Sequence, residues 1–432
     1  MSGTVTENKD RNYSNTEMIQ TLQKLVRYPS ISSEDETSIY GHDTEEAVDY
    51  LMETALSLGL KICKTKEYAY IETGEGTDLI GVLAHIDVVP PGEGWTKDPF
   101  SGEISNGRIY GRGTTDDKGP LVAVLYAMAD LVKVNSQKKI RLIIGQSEEN
   151  GQWDDIEAYC EKEQLPDAGF SPDGDFPAIQ CEKGALVFKV SMKADKSGIV
   201  DARGGSSANM VPDYAQITTK SGNYSGKGIK FHGCAPWLGK NAITDAVTNG
   251  ISSGDKAAFL QMYSALIGET VFGENLGIKM EDEISGKLSV NAGELFMDNE
   301  NQDVCILIDI RYPCMADADK VIAAVEEKFH SYGAQCKCIY RSEPLRMDPC
   351  NPLMEKLLDA YRTETGDYSD PISIGGGTYA KAMPNIVAFG PNFPGHENRE
   401  HRNDEYIRID DLIKLRAIYK RALLNLTECR EL

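Results

Sequence analysis

Three short clusters in this chain carry the residue types that hydrolytic metal chemistry uses: His85-Ile86-Asp87, Asp116-Asp117 and Glu148-Glu149. An imidazole with a carboxylate two residues on can bind a metal through one ring nitrogen while the other nitrogen is held in place. Adjacent glutamates can divide a hydrolysis, one ligating a metal and the other taking a proton from water. Taken singly, each cluster also has a plainer reading. His85 and Asp87 can be a structural pair, Asp116-Asp117 a helix cap, and Glu148-Glu149 a solvated surface. Nucleotide chemistry finds no comparable support, although the chain holds 40 glycines. Gly111-Arg112-Gly113 runs into Thr114-Thr115-Asp116 where a dinucleotide fingerprint needs another glycine, and no segment fits G-x-x-x-x-G-K-S/T.

The stretches around the clusters say what must position them. Leu79 to Ala84 is a nearly continuous apolar run, which predicts a strand covered on both faces with His85 at its end. Gly119-Pro120 opens a helix with Leu121, Leu125, Met128 and Val132 on one face, and Asp116 lies just before it. Ile140 to Gly145 predicts a second buried strand, followed directly by Glu148-Glu149. Strand, helix and strand in that order form a parallel βαβ unit, whose ligands sit at the carboxyl ends of the strands. A helix is also expected over Asp43 to Leu58, stopped by Gly59. Past Gly184 the pattern changes, with strands at Ala185 to Val190 and Val304 to Ile310 and helices near Ala257 to Ile267 and Ala318 to Tyr332. From Asn351 the earlier style returns: a helix over Leu353 to Tyr361, a strand over Asn385 to Phe389, and a closing helix from Asp410 to Leu424. The expected fold class is therefore α/β: a catalytic domain with a mixed, mostly parallel sheet flanked by helices, interrupted by an inserted α+β lid domain. Its segments are 1–184, 185–346 and 347–432, the middle one being the insert.

Bulk properties narrow the partners. The chain has 432 residues, enough for two domains. Lys+Arg 45 against Asp+Glu 67 leaves a net charge of −22, which repels phosphate backbones and anionic headgroups, so neither nucleic acid nor membrane is expected as a partner. No apolar run is long enough to span a bilayer, and Met1 to Ser14 is polar without the apolar stretch of a secretory signal, so a cytoplasmic location is expected. The 10 cysteines are scattered without a C-x-x-C pair, which reads as reduced thiols, many of them buried.

In order, the chain carries His85-Ile86-Asp87-Val88-Val89-Pro90, Gly111-Arg112-Gly113-Thr114-Thr115-Asp116-Asp117-Lys118-Gly119-Pro120, Ser147-Glu148-Glu149-Asn150, Phe170-Ser171-Pro172-Asp173 and His401-Arg402-Asn403-Asp404-Glu405-Tyr406. This series resembles the two-metal superfamily of aminoacylase, carboxypeptidase G, acetylornithine deacetylase and succinyl-diaminopimelate desuccinylase, and within it the peptidase V-like and carnosinase-like dipeptidases. The likeness runs from about Val26 to Leu424 and includes Gly204 to Pro212 and Asp309 to Pro313 in the insert. It implies two divalent ions per chain bridged by Asp116, one completed by His85 and Asp173 and the other by Glu149 and His401. Zn²⁺ or Mn²⁺ suits such mixed N/O ligands, and Co²⁺ does too. Glu148 is implied as general base toward a metal-bridging water, and Asp87 as the partner that orients His85. His396 stands five residues before His401, but only His401 has Asp404-Glu405 at the family spacing.

From the insert, the resemblance implies that Asn209 and His232 act on the oxyanion and that Arg311 grips the substrate carboxylate. Gly233-Cys234 depart from the usual His-Ala-Ser-x-Pro pattern after His232, and a structural salt bridge is the alternative role for Arg311. Gly376 and Gly377, in Gly375-Gly376-Gly377-Thr378-Tyr379, resemble the loop whose backbone approaches the substrate. The expected activity is that of a metal-dependent dipeptidase acting on short peptides. An N-acyl amino acid deacylase with the same metal centre is the first alternative, and a non-catalytic metal- or peptide-binding relative the second. A monomer is expected, with a homodimer as the alternative.

Overall fold

In the computed structural model, the residues described are 13–33, 38–132 and 138–429. Most of the stretch searched for a secretory signal, residues 1–12, lies outside them. The chain divides into two compact units: Met1–Gln180 with Met347–Ile372 and Thr378–Leu432, and Cys181–Arg346 with Ser373–Gly377.

Among the described residues, the first unit is built on a six-stranded sheet ordered Lys61–Lys64, Ala69–Thr73, Lys139–Gly145, Leu79–His85, Ala168–Ser171 and Ile386–Ala388. The first two strands pair antiparallel, and the last four run parallel to one another. All seven residues of Leu79–His85 are buried, which is why that strand reads as unbroken apolar sequence. The crossover to Lys139–Gly145 runs through the helix Lys118–Leu131, which is apolar on every side and buried over nearly its whole length. This helix packs against the closing helix Ile409–Glu428 and the helix Asn15–Val26. The expected helix after Asp43 is found at His42–Ser57, where Ala47, Val48, Leu51 and Ala55 are buried.

The second unit centres on a seven-stranded antiparallel sheet: Asn223–Lys227, Tyr214–Thr219, Ile199–Gly204, Ser289–Asp298, Asp303–Tyr312, Gly184–Lys193 and Gln335–Ser342. Its core joins Leu186, Phe188, Ile306, Ile308 and Ile310 from the sheet with Phe259, Val325 and Phe329 from its helices. The segment Ser373–Gly377 groups with this unit, whereas sequence placed it in the stretch 347–432. The reason is tertiary pairing. Ile372–Ile374 lies beside Ile179–Glu182 in a small sheet, and Ile374 O accepts from Lys183 N at 3.1 Å.

None of the 10 cysteines is in a disulfide, but only Cys181, Cys305 and Cys336 are buried. The expectation that many would be buried is corrected accordingly. No helix among the described residues is long and apolar enough to cross a membrane.

Candidate metal centre

Three neighbouring parallel strands end on the same edge of the first sheet, and each delivers an acidic or imidazole side chain there. Leu79–His85 ends in His85, Lys139–Gly145 leads to Glu148 and Glu149, and Ala168–Ser171 leads to Asp173. Asp116 joins them from the turn before the helix Lys118–Leu131, where the Asp116-Asp117 peptide bond is cis. His401 comes from the loop before the closing helix, in a left-handed conformation (φ 57°) that side-chain-bearing residues seldom adopt.

The centre of the arrangement is the Asp116 carboxylate. Its Oδ1 lies 3.0 Å from His85 Nε2 and its Oδ2 3.0 Å from His401 Nε2. His401 Nε2 also lies 3.1 Å from Glu149 Oε2. Ligand atoms of His85, Asp116 and Glu149 are close enough to share one ion. His85 Nδ1 donates to the main-chain carbonyl of Asp87 at 3.1 Å, which commits the Nδ1 hydrogen and turns Nε2 toward Asp116. The Asp87 carboxylate is 3.6 Å from the same ring nitrogen. Its stronger engagement is with the next strand's turn: Oδ1 accepts from Glu148 N at 3.2 Å and Oδ2 from Glu149 N at 3.0 Å. Asp117 does not cap its helix through its side chain, and its Oδ2 accepts from His85 N at 3.1 Å instead.

Charge crowds here. Burial and the carboxylates of Asp173, Glu149 and Asp116 raise Glu148 well above the ordinary range, against the pull of His85. Burial, then Asp116, pushes Glu149 up to about 7 and Asp173 up to about 6. Burial disfavours the His401 imidazolium, but hydrogen bonds to Asp116 and Glu149 overcome that and hold it at about 11. His85 is raised in the same way, by Asp116 and Asp87 against burial. Burial also opposes the Asp116 charge, yet His401 and His85 keep it well below the usual carboxylate range. Nitrogen and oxygen donors without a thiolate, with protons shared between imidazoles and carboxylates, are what a divalent cation replaces on binding. The residues present fit such an ion.

Several supporting residues escaped sequence reasoning. Glu405 is fully buried; its Oε2 accepts from Arg112 Nη1 at 2.6 Å and its Oε1 from Thr115 N at 2.9 Å, clamping the turn that presents Asp116. Tyr379 packs edge-on against the His85 ring, with centroids 6.0 Å apart, and its main-chain N–H bonds to the Asp173 carboxylate. Only the family spacing at His401 pointed toward Glu405, and nothing local pointed to Tyr379 as a support. His396 lies apart from this cluster, with Nδ1 2.9 Å from Asp411 and Nε2 3.2 Å from Arg408. His42 and His330 are exposed on helices.

Asn209, His232, Arg311, Gly376 and Gly377 all belong to the second unit. Within it, His232 and Met210 face each other across a two-stranded ribbon, and Gly233 N donates to Asn209 O at 2.6 Å, so Asn209 and His232 are neighbours and both exposed. His232 Nδ1 accepts from Cys234 N at 3.2 Å. Arg311 Nε donates to both Asp309 oxygens, at 2.9 and 3.0 Å, so the structural salt bridge exists. Its Nη1 and Nη2 make no hydrogen bond among the described residues. A Cβ on Gly376 would meet open space, and one on Gly375 would come within 3.2 Å of Cys234 Cβ.

Known proteins are similar to this chain over nearly its whole length. A Bacillus subtilis (strain 168) protein named "Putative dipeptidase YtjP" is 35% identical to this chain, over 95% of this chain and 97% of that protein. The fold resembles human carnosine dipeptidase 1, with a TM-score of 0.65 at 16% identity, covering 96% of this chain and 97% of that one. It also resembles an M20 family metallo-carboxypeptidase from Sulfolobus solfataricus, with a TM-score of 0.62 at 19% identity, covering 95% of this chain and 99% of that one. The sequence matches the model of Peptidase family M20/M25/M40 over residues 81–425, and with a relative this similar along nearly its full length the chain belongs to that family.

Proposed function

We propose that this protein is a metal-dependent dipeptidase that hydrolyses the peptide bond of short peptides with free termini. The observation that carries the reading is the Asp116 carboxylate, which offers one oxygen to His85 and the other to His401, each at 3.0 Å. In this reading Asp116, His85 and Asp173 would hold one divalent ion, and Asp116, Glu149 and His401 would hold the other. When bound, the ions supply Lewis acidity toward the scissile carbonyl and toward water. Zn²⁺ and Mn²⁺ both suit the donor set, and Co²⁺ also fits.

The chain's own residues do the rest. Glu148 is assigned as general base: its carboxylate makes no hydrogen bond among the described residues, while its main-chain N–H is fixed by Asp87. It takes a proton from the attacking water at a carboxylate oxygen and returns it to the leaving amine. Asp87 fixes the His85 ring and the Glu148-Glu149 turn together. From the second unit we assign Asn209 and His232 to the oxyanion, and Arg311 to the substrate's terminal carboxylate through the outer N–H groups that Asp309 leaves open. The backbone of Gly376 and Gly377 is assigned to substrate contact, consistent with the open space beside Gly376. A cytoplasmic, monomeric enzyme completes the reading, supported by 10 cysteines without a disulfide and by a large second unit formed from this one chain.

The test uses metal-stripped protein reconstituted separately with Zn²⁺, Mn²⁺ and Co²⁺ and assayed on a dipeptide panel beside N-acetyl amino acids. Metal-dependent release of amino acids from dipeptides is expected. Activity confined to the acyl substrates would move the protein to the deacylases, and metal binding with no turnover would make it a binding protein.

A further inference from the structure

Two cysteines that the assignments above do not use meet inside the second unit. The strands Asp303–Tyr312 and Gly184–Lys193 pair antiparallel as far as Tyr312 beside Gly184. Cys314, just past the end of one strand, and Cys181, just before the start of the other, therefore lie at the same end of that pairing. Cys181 belongs to Ile179–Glu182 and pairs with Arg346, whose Nη1 donates to the sulfur of Met315 at 3.0 Å. The chain neighbour of Cys314 thus rests on the strand partner of Cys181. A third segment closes the arrangement: Ser285 Oγ accepts from Cys314 N at 2.9 Å, and the same hydroxyl bonds to the Cys181 thiol, which also meets the Cys314 thiol. The two sulfurs differ in access. Cys181 is 0% exposed, whereas Cys314 is part-exposed, with Sγ 3.5 Å from Asp282 Oδ2.

A disulfide joins cysteines whose side chains already point toward each other, and this pair meets that condition. We propose that Cys181 and Cys314 are a redox modification site, at which hydrogen peroxide converts the two thiols into an intramolecular disulfide. The accessible sulfur reacts first. Cys314 Sγ attacks one peroxide oxygen: an S–O bond forms, the O–O bond breaks, and the departing hydroxide takes the thiol proton and leaves as water. Cys181 Sγ then attacks Cys314 Sγ: the S–S bond forms, the S–O bond breaks, and the Cys181 proton leaves with the hydroxyl as a second water. Both sulfurs are oxidised, and the peroxide is reduced to water. Burial and the neighbouring Cys314 thiol push the Cys181 thiol above its ordinary range, so Cys181 stays protonated and acts only on a sulfur already activated beside it. The crosslink ties the turn that follows Arg311 to Ile179–Glu182, which lies beside the strand Ile372–Ile374 leading into Gly375. Nothing in this chemistry depends on the dipeptidase reading.

The experiment treats the full-length protein with millimolar hydrogen peroxide, blocks the remaining thiols with iodoacetamide in denaturant, and maps the digest by mass spectrometry. The expected product is a pair of peptides joined through Cys181 and Cys314, lighter by two hydrogens than the separate peptides and released by dithiothreitol. Protein unfolded in urea before the peroxide step provides the comparison, because there the pairing no longer reflects the fold. In Cys181→Ser, the Cys314 sulfenic acid has no thiol to condense with and is trapped by dimedone. If that variant fails to fold, the wild-type map decides alone. Two thiols that both remain open to iodoacetamide, or a Cys314 oxidised to the sulfinic acid beside a free Cys181, overturn the proposal. So does linkage of either residue to another cysteine, such as the exposed Cys350, or a Cys181–Cys314 yield no greater than that from the unfolded chain.

Discussion

Gly145 is the last residue of its strand, pairs in register with His85, and abuts the ring of Tyr379. A Cβ at Gly145 would stand 2.5 Å from Tyr379 Cε1 and 2.7 Å from Cζ, and closer still to Oη. Ordinary carbon contacts are about 3.5–4.0 Å, so Gly145→Ala obliges the ring to retreat by roughly 1 Å. There is little room for that. Tyr379 is fully buried, with the His85 ring at 6.0 Å and the Trp153 ring at 5.5 Å between centroids, and its own N–H holds Asp173. Overpacking of this kind costs about 1–3 kcal/mol. It outweighs the gain of about 0.4–1 kcal/mol that alanine brings by restricting the unfolded chain. The displaced ring pushes on His85 and Asp173 together, so Zn²⁺ affinity should fall by about 10-fold or more. The assay is urea unfolding followed by tryptophan fluorescence, for which Trp153 is a local reporter, with Zn²⁺ titration of the stripped protein. In a Tyr379→Ala background the same substitution meets empty space, and its cost should shrink to within about 0.5 kcal/mol of zero. Wild-type stability and Zn²⁺ affinity in Gly145→Ala, or an equal penalty in both backgrounds, would refute the reasoning.

Three further outcomes follow from the same geometry. Glu148→Gln should lower turnover by about 10²- to 10⁴-fold while metal content, measured by atomic emission, stays near that of the wild type; normal turnover removes Glu148 as the base. His401→Ala should weaken metal binding, whereas His396→Ala, which loses contacts to Asp411, Arg408 and the Phe393 ring, should leave the Zn²⁺ titration unchanged. Arg112→Ala strands the Glu405 carboxylate in a place where the pair's side chains are 2% and 0% exposed, so chemical denaturation should show a loss of about 3–5 kcal/mol. A loss below about 1 kcal/mol would mean that water reaches Glu405.

The strands and helices that carry the site were legible because burial imposes its pattern locally. Leu79–His85 and Lys118–Leu131 are covered on all sides, so their composition alone announces them. The affiliation of Ser373–Gly377 with the second unit was not legible, because it depends on a strand neighbour, Ile179–Glu182, almost 200 residues away in sequence. The same holds for Glu405, whose partner Arg112 is 293 residues distant. Cysteine burial was misjudged for a related reason. A thiol's burial follows from which strand edge or loop it occupies, and residue type carries no information about that.

Asp87 shows where the boundary between legible and illegible lies within the site itself. A carboxylate two residues after a histidine reads as the group that orients the ring, and the ring is indeed oriented at Asp87, but through the main-chain carbonyl at 3.1 Å. The carboxylate is thereby released to bind the N–H groups of Glu148 and Glu149, at 3.2 and 3.0 Å. One residue thus locks the end of one strand to the turn after its parallel neighbour, fixing His85, Glu148 and Glu149 relative to each other. Donor types and spacing can reveal that a site holds metal, because those are properties of the ligands. They cannot reveal which atom of a neighbour supports which ligand, because that depends on the register of two parallel strands, here His85 beside Gly145. The precision of the site therefore resides in that register and in the close contact between Gly145 and Tyr379, which explains why a single methyl group at Gly145 is expected to reach the metal ligands.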